Sequence, residues 1–369
     1  MQVDSEHLST VAAAFRAGAS SYRSLGSPLY GAICEGGAGD EDVIALASHA
    51  QSGAQPAFHL MAAVHYLLLG DPSDPLGLHY ATLTDDPLPP EQVYPAFARF
   101  CREHRAEILE LLQTRSVQTT YVERCAPLMA PLSIVAGEAG EPLNLIEIGC
   151  SAALLLTFDE YRYELSEGGT VGPAEAPLTL KADIRGAPPL RIPRIGTRFG
   201  LDLNPIDARL EDERRWLIAL TFPEYKVERA RLSKGLEVVA QSDLHLLKGD
   251  ALDLLPALLA GTPSPLCVFH SACLFYWSED GKAALESMLI EASCGRTIFR
   301  VGIEPARSFD SWRKGLGGDA KPATRQGGEV TIVRYRGGAA TTAVVGTTSV
   351  GGPVEFDAAE LERFLDCVH

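Results

Sequence analysis

From Asn144 onward, apolar strand-like runs alternate with helix-like segments, and this alternation constrains the fold more than any other feature of the sequence. The runs are NLIEIG, TRFGLDL, DLHLLKGD, PLCVFHSA and RTIFRVGIEP. Strands that alternate with helices predict a mostly parallel sheet covered on both faces. Further on, EVTIVRYR and ATTAVVGTT flank Gly337–Gly338 and predict a hairpin. We therefore expect an α/β, Rossmann-like parallel sheet with an antiparallel C-terminal hairpin at its edge.

The pattern before this region is helical. The segment PAFHLMAAVHYLLLG has apolar residues at helical spacing and ends at Gly70, with Pro72 beyond it. A chain of 369 residues has room for two domains or for one large α/β domain with additions. We predict a helical N-terminal region over residues 1–115, on the substrate side, and an α/β domain over 116–369. Residues 166–196, rich in Gly and Pro, are expected to form an insertion.

Composition limits the partners and the compartment. The formal net charge is −16, and no basic face is visible that could displace counterions from nucleic acid. Eight scattered cysteines without a C-x-x-C pair indicate a reducing, cytoplasmic compartment, and no metal site is predicted. The N-terminus lacks the features of a signal peptide, and the apolar runs are too short for a membrane span. A small-molecule substrate is the expected partner, and the oligomeric state is not indicated.

In an open parallel sheet, ligands bind beyond the carboxyl ends of the strands, where the strand order reverses. The candidate site residues are therefore the polar and small residues at the carboxyl ends of the predicted strands. They are Glu147, Gly149, Ser151, Asp202, Asn204, Asp250, Ala251, His270, Ser271 and Glu304.

These residues suit an adenosyl ligand. A small-residue turn at Gly149 lets the backbone approach the ligand, and the next helix would offer free N–H groups. Asp202 would accept hydrogen bonds from the ribose hydroxyls, and Asp250 from the adenine amino group. Glu147 would balance an ammonium or sulfonium charge, which favours S-adenosylmethionine over a dinucleotide whose pyrophosphate it would repel. His270 is the candidate general base, because its ordinary pKa lies near neutrality.

Four motifs strengthen this interpretation by resemblance. LIEIGCSAA, GLDLNP, KGDALD and VFHSA resemble motifs of class I S-adenosylmethionine-dependent methyltransferases, across roughly residues 116–352. The resemblance implies methyl transfer from S-adenosylmethionine to an acceptor that the sequence does not identify.

A second resemblance covers most of the chain. The stretches GSPLYGAI, VQTTYVERCAPLM, IEIGCSAALLLTFDEYRY and VFHSACLFYW are similar to the bacterial domain-of-unknown-function family DUF2332. This similarity adds matched residues that are expected near a pocket, and Tyr276 is expected with them. The matched residues are Gln118, Arg124, Asp159, Tyr161 and Tyr163.

Two other functions stay open. Positions 149, 151 and 153 are Gly, Ser and Ala where glycine-rich spacing is typical, and only Gly takes positive φ cheaply. A non-catalytic binder or scaffold with a retained methyltransferase fold is therefore the alternative. A serine hydrolase is the third hypothesis, because GCSAA is similar to the G-x-S-x-G nucleophile turn and would present Ser151. Asp202 could instead cap a turn, and Glu147 could pair with Arg124.

Overall fold

The computed structural model describes residues 5–51, 53–305, 328–348 and 353–366. The chain divides into two compact units. The first contains residues 1–120 and 209–233, and the second contains residues 121–208 and 234–369. Residues 209–233 therefore group with the helical unit, whereas the alternation of helices and strands places them in the predicted α/β domain.

Twelve α-helices occur within the described residues. They are α1 Ser5–Ser24, α2 Pro28–Gly37, α3 Glu41–Ala47, α4 Pro56–Gly70, α5 Tyr94–Glu103, α6 Arg105–Thr114, α7 Cys125–Ala139, α8 Glu211–Ala219, α9 Lys226–Gln241, α10 Ala251–Gly261, α11 Glu279–Ala292 and α12 Ala358–Asp366. Short 3-10 segments cover Pro75–His79, Pro90–Gln92, Val122–Arg124, Leu154–Glu160, Leu274–Tyr276 and Ser293–Gly295.

The first unit is held together by an apolar helix and an aromatic core. Helix α4 has Pro56 in its first turn, where a missing N–H costs nothing, and it ends at Gly70. Most of its side chains are buried, as expected for a helix that is apolar on nearly all sides. Four rings, those of Tyr22, Tyr30, Phe58 and Phe222, pack with all centroid separations between 5.6 and 6.3 Å. Such edge-to-face contacts stabilise beyond simple burial.

The second unit is built on strands. They are β1 Leu143–Ile148, β2 Arg162–Leu165, β3 Thr170–Val171, β4 Thr179–Ala182, β5 Ile184–Arg185, β6 Ile195–Asp202, β7 His245–Lys248, β8 Leu266–Ser271, β9 Ile298–Pro305, β10 Gly328–Arg336, β11 Ala339–Thr348 and β12 Val354–Phe356. Within the described part of the chain, nine of them form one sheet in the order β5-β12-β11-β10-β9-β8-β1-β6-β7. Strands β3, β2 and β4 form a separate small sheet, of which β3 and β4 lie inside the predicted insertion and β2 immediately before it.

The centre of the large sheet is parallel. Strand β1 pairs in parallel with β6 and β8, β6 with β7, and β8 with β9. Counted along the chain, these five strands have the order 3-2-1-4-5 of a doubly wound, Rossmann-like sheet. All six residues of β1 are buried, because a central parallel strand is covered on both faces. The predicted mostly parallel sheet is confirmed.

The predicted hairpin is also present. Strands β10 and β11 pair antiparallel across Gly337 and Gly338, whose φ angles are +60° and +79°. Positive φ at both turn residues is the requirement of a two-residue type I′ turn. The hairpin pairs with β9, but β12 and β5 extend the sheet beyond it.

One predicted element is wrong. The apolar segment after β1 is expected to form an α-helix, but it forms a 3-10 segment at Leu154–Glu160 and then strand β2. Ala153, which precedes the segment, has a left-handed conformation, and Thr157 departs from helical angles. The predicted α-helix N-terminus after β1 is therefore replaced by the start of a 3-10 segment.

Candidate functional site

The strand order reverses between β1 and β8, because the chain leaves β1 towards β6 and leaves β8 towards β9. Ligands of doubly wound sheets bind outside the carboxyl ends of the strands at this point. The turns after β1 and β8 touch there. A Cβ built on Gly149 would lie 2.4 Å from the Sγ of Cys273, so only glycine fits. Its φ of +75° independently favours glycine.

The turn after β1 keeps glycine-like geometry without the glycines. Ser151 and Ala153 have φ angles of +49° and +57°, in the left-handed region. A non-glycine residue in that region costs roughly 1 kcal/mol or more. The hydroxyl of Ser151 is buried and has no hydrogen-bond partner among the described residues. Ser151 and Ala153 therefore adopt a backbone conformation that favours glycine, at an energetic cost.

Asp202 ties this turn to the end of β6. Its carboxylate accepts hydrogen bonds from the backbone N–H groups of Ser151 and Asn204, each at 2.8 Å. The backbone N–H of Ile206 donates to the carbonyl of Ser151 at 3.0 Å, which closes the arrangement. Asp202 is half-buried, whereas Asn204 is exposed. The carboxylate of Asp202 that caps the turn is the same group that is predicted to bind a ligand.

Asp250 occupies the equivalent position after β7. Its side chain accepts a hydrogen bond from the backbone N–H of Leu252 at 2.8 Å and so caps helix α10. Asp250 is exposed and Ala251 is buried. A helix cap accounts for the Asp250 carboxylate without a ligand, and its contact with adenine stays a prediction.

Glu147 is the most unusual acid of the site. Its side chain is buried within β1, and its Oε2 atom has no hydrogen-bond partner among the described residues. Burial and the nearby Asp202 carboxylate raise the pKa of Glu147 well above its ordinary value, and Arg124 only partly offsets them. The predicted ion pair with Arg124 is not formed at contact distance within the part of the chain that the structure describes. Unpaired buried carboxyls are rare because they lose hydration without compensation.

His270 lies at the end of β8 inside a hydrogen-bonded network. Its Nδ1–H donates to Oε1 of Glu304 at 2.8 Å, and its Nε2 accepts from Nη1 of Arg300 at 3.0 Å. His270 has no solvent exposure. Burial lowers its pKa below the ordinary value against the opposing effect of Glu304, so the neutral imidazole is favoured. Both ring nitrogens are engaged, and its role as general base stays a prediction.

The same network fixes the loop after β8. The carboxylate of Glu304 accepts hydrogen bonds from the backbone N–H groups of Cys273 and Leu274, at 3.0 to 3.1 Å. Burial would raise the pKa of Glu304, but these hydrogen bonds and that from His270 lower it below its ordinary value. Glu304 is therefore an anion that anchors the loop, which begins at the half-buried Ser271.

The network continues away from the strand ends. Arg300 donates through Nε to the hydroxyl of Tyr335 at 2.9 Å, and that hydroxyl donates to Oε2 of Glu286 at 2.8 Å. Gly302 makes room for the imidazole, since a Cβ there would lie 2.6 Å from Cε1 of His270. The sequence interpretation missed Arg300, although an arginine within a strand expected to be buried was the signal.

The pocket-lining candidates are dispersed. The hydroxyl of Tyr161 bonds with that of Thr157 at 2.9 Å, and the hydroxyl of Tyr163 donates to the carbonyl of Phe158. Both tyrosines are fully buried, so their hydroxyls already have partners inside the second unit. Gln118 is half-buried in the first unit.

Two further matched residues, together with Tyr276, have different surroundings. Asp159 forms a bidentate ion pair with Arg198 at 2.6 and 2.9 Å. Arg124 is half-buried near Glu147, and Tyr276 is 79% exposed. Arg124 and Tyr276 are therefore the two of these candidates that keep groups available for a ligand in the second unit.

A cleft of about 520 Å³ opens at the other end of the sheet, near the amino ends of β6 and β7. Its two cationic groups pair with neighbouring acids, Arg198 with Asp159 and Lys234 with Glu237, and Glu160 and Asp243 also line it. None of the predicted site residues lines it.

Two searches of the described residues bear on ligands and membranes. No group of three or more His, Cys, Asp or Glu side chains comes together there as a metal site. None of the helices described here combines the length and the apolar character that crossing a membrane requires.

Comparison with known proteins gave one family. A family model described as "Uncharacterized protein conserved in bacteria (DUF2332)" matches residues 12–355. A comparison with curated protein sequences found no match.

Ser151→Gly should stabilise the protein without added ligand by roughly 1–2 kcal/mol, because it relieves positive φ and removes an unpaired buried hydroxyl. Urea unfolding measures the gain. Ser151→Ala is the matched control, since it removes the hydroxyl but keeps the strained Cβ, and it should gain less. A destabilised glycine variant would contradict this reading of the turn.

Arg300→Met should lower the free energy of unfolding by about 3–5 kcal/mol, because it removes the cation paired with the Glu286 carboxylate and the donor to Nε2 of the buried His270. The exposed Arg336, on the neighbouring β10, provides the control Arg336→Met, which should change stability by less than about 0.5 kcal/mol. Equal effects of the two substitutions in chemical denaturation would show that the hydrogen-bonded network around Arg300 adds no more stability than an exposed arginine does.

Proposed function

The chain belongs to the bacterial family of uncharacterized proteins DUF2332, and from the chemistry at the carboxyl end of β1 we propose that it binds S-adenosylmethionine and transfers its methyl group to a small-molecule acceptor. One observation carries the proposal. Two buried polar atoms, Oε2 of Glu147 and Oγ of Ser151, lack hydrogen-bond partners among the described residues at the point where the strand order reverses. Buried polar atoms are nearly always hydrogen-bonded, so a ligand that supplies the missing partners is expected here.

The charges nearby select the ligand class. Glu147 and Asp202 are acids, and Arg124 is the cation whose field reaches Glu147. An ammonium or sulfonium group complements Glu147, and a carboxylate complements Arg124, so the amino-acid end of S-adenosylmethionine matches both. A pyrophosphate would be repelled by the two acids.

The carboxylate of Asp202 is the proposed acceptor for the ribose hydroxyls. Its two oxygens accept hydrogen bonds from the backbone N–H groups of Ser151 and Asn204, which fix the position of the carboxylate, and a carboxylate oxygen can accept more than one hydrogen bond. The hydrogen bond from the backbone N–H of Ser151 fixes both the turn and the Asp202 carboxylate, whose oxygens would accept hydrogen bonds from the ribose hydroxyls. Asp250 lies after the neighbouring β7, where it is proposed to meet the adenine amino group.

When bound, S-adenosylmethionine supplies a methyl group on a positively charged sulfur. The residues of this chain would contribute binding and orientation, because methyl transfer needs an in-line approach and gains most from positioning. Glu304 holds the loop after β8 at the edge of the site through two backbone N–H groups. The proposal needs no proton transfer through His270, whose ring nitrogens are both occupied.

Ligand binding without catalysis is the second candidate, and two observations favour it. A 3-10 segment replaces the α-helix expected after β1, and His270 is committed to Glu304 and Arg300. A serine hydrolase is less well supported, because the imidazole of His270 is engaged elsewhere and Ser151 Oγ has no base as partner among the described residues.

S-adenosylmethionine at millimolar concentration should raise the melting temperature by several degrees, since a ligand bound only by the native state stabilises it. Asp202→Asn should weaken calorimetrically measured binding by about tenfold or more, because it removes the anionic ribose acceptor. Asp243→Asn, an exposed acid at the other end of the sheet, is the control and should bind like the wild type. No heat and no thermal shift with the wild type would end the proposal.

Affinity for S-adenosylmethionine should rise with pH. Glu147 has a raised pKa in the free protein, and a bound cation would stabilise its carboxylate, so binding releases a proton. Calorimetry in two buffers of different ionisation enthalpy, repeated at several pH values between 5 and 8, measures that release. Glu147→Gln should remove both the proton release and the pH dependence.

The same residue predicts a stability profile. Because its pKa is raised in the folded state, Glu147 contributes fully to the free energy of unfolding at pH values below its ordinary pKa. This contribution is lost as the pH rises towards the raised value. Glu147→Gln should therefore be more stable than the wild type at neutral pH and similar to it at pH 4. A glutamine variant that is less stable at pH 7 would contradict the raised pKa.

A further inference from the structure

The loop after β8 presents two large aromatic side chains to solvent. Phe275 is 40% exposed and Tyr276 is 79% exposed. Their rings contact each other with a centroid separation of 3.8 Å and an interplanar angle of 37°. Together they form what we call the Phe275–Tyr276 surface. Aromatic rings gain much free energy from burial, so an adjacent exposed pair is poised to gain from covering by a ligand.

The backbone beneath this surface is fixed. Glu304 accepts hydrogen bonds from the N–H groups of Cys273 and Leu274, and Leu274 is buried. The N–H of Ala272 donates to the carbonyl of Ile303 at 2.9 Å. A ligand would therefore meet a preformed surface and lose little free energy to ordering of the loop.

Acidic side chains lie in the helix turns that meet near Trp277, the residue after Tyr276. Trp277 and Leu252 both approach Gly281, which brings the first turns of α10 and α11 together. Asp253 and Asp280 are exposed in these turns and form no ion pair among the described residues.

The nearby lysine does not neutralise these acids. Lys282 lies on α11, and its Nζ is held by Glu279 at 2.8 Å. The local potential is therefore negative, in keeping with the net charge of −16. Aromatic ring faces attract cations by their quadrupole, and nearby carboxylates add to that attraction.

We propose that the Phe275–Tyr276 surface binds a small organic cation with an apolar or aromatic body. The contact between Gly149 and Cys273 places this loop against the turn after β1, so the ligand would lie beside the proposed cofactor site. The identification of this cation as the methyl acceptor rests on the proposed function. The binding of the cation is independent of that function, because it depends only on the two rings and the acids.

The probes are tryptamine and indole-3-propionate, which carry the same ring and opposite charges. We expect calorimetry with the full-length chain to show binding of tryptamine at least tenfold tighter than that of indole-3-propionate. Tyr276→Ala should weaken tryptamine binding about fivefold or more, and Asp280→Asn about threefold. Leu78→Ala, which removes an exposed apolar side chain in the first unit, is the control and should leave binding unchanged.

Equal affinity for the two probes, absence of tryptamine binding, or an unaffected Tyr276→Ala variant would overturn the proposal. The proposal would also be overturned if sedimentation showed that the wild type self-associates and that Tyr276→Ala abolishes this self-association. A second copy of the chain would then cover the surface. S-adenosylmethionine binding is measured on the same samples. Tryptamine binding without cofactor binding supports this surface and defeats the methyltransferase proposal, and the opposite result defeats this surface alone.

Discussion

The strand ends of this protein depend on carboxylates that hold backbone N–H groups. Glu304 fixes the loop after β8 through Cys273 and Leu274, and Asp202 fixes the turn after β1 through Ser151. Charge-assisted hydrogen bonds of this kind are stronger than neutral ones and set the geometry closely. Because the two fixed segments meet at the reversal of strand order, the acids determine the shape of the place where a ligand is expected.

Two buried glutamates illustrate how surroundings decide chemistry. Glu304 accepts hydrogen bonds from His270 and two backbone groups, and these lower its pKa. Glu147 is equally buried, but its Oε2 has no partner among the described residues, and its pKa is raised. The first behaves as a structural anion. The second has the unmet hydrogen-bonding capacity that a ligand site requires, which is why the proposed function rests on Glu147.

Much of this could be predicted from sequence. Apolar runs bounded by polar residues located the five parallel strands, and the glycine pair located the hairpin, because both signals are local. The segment after Ala152 was not predictable, since an apolar run of that length fits a helix, a 3-10 segment or a strand alike. Placing Glu147 and Asp202 at one edge followed from parallel pairing. The bonds of His270 to Arg300 and Glu304 did not follow, because strand register and side-chain direction decide them.

The contact between Gly149 and Cys273 has a consequence for variation among relatives. A side chain at position 149 can be accommodated only if residue 273 becomes smaller, and the positive φ at 149 further narrows the choice. These two positions should therefore covary, or both stay fixed, in any alignment of the family. The exposed neighbours Leu203 and Tyr276 have no such constraint. Differences in ligand preference among relatives would accordingly be found at exposed positions such as these two, while the contact between the turns after β1 and β8 stays unchanged.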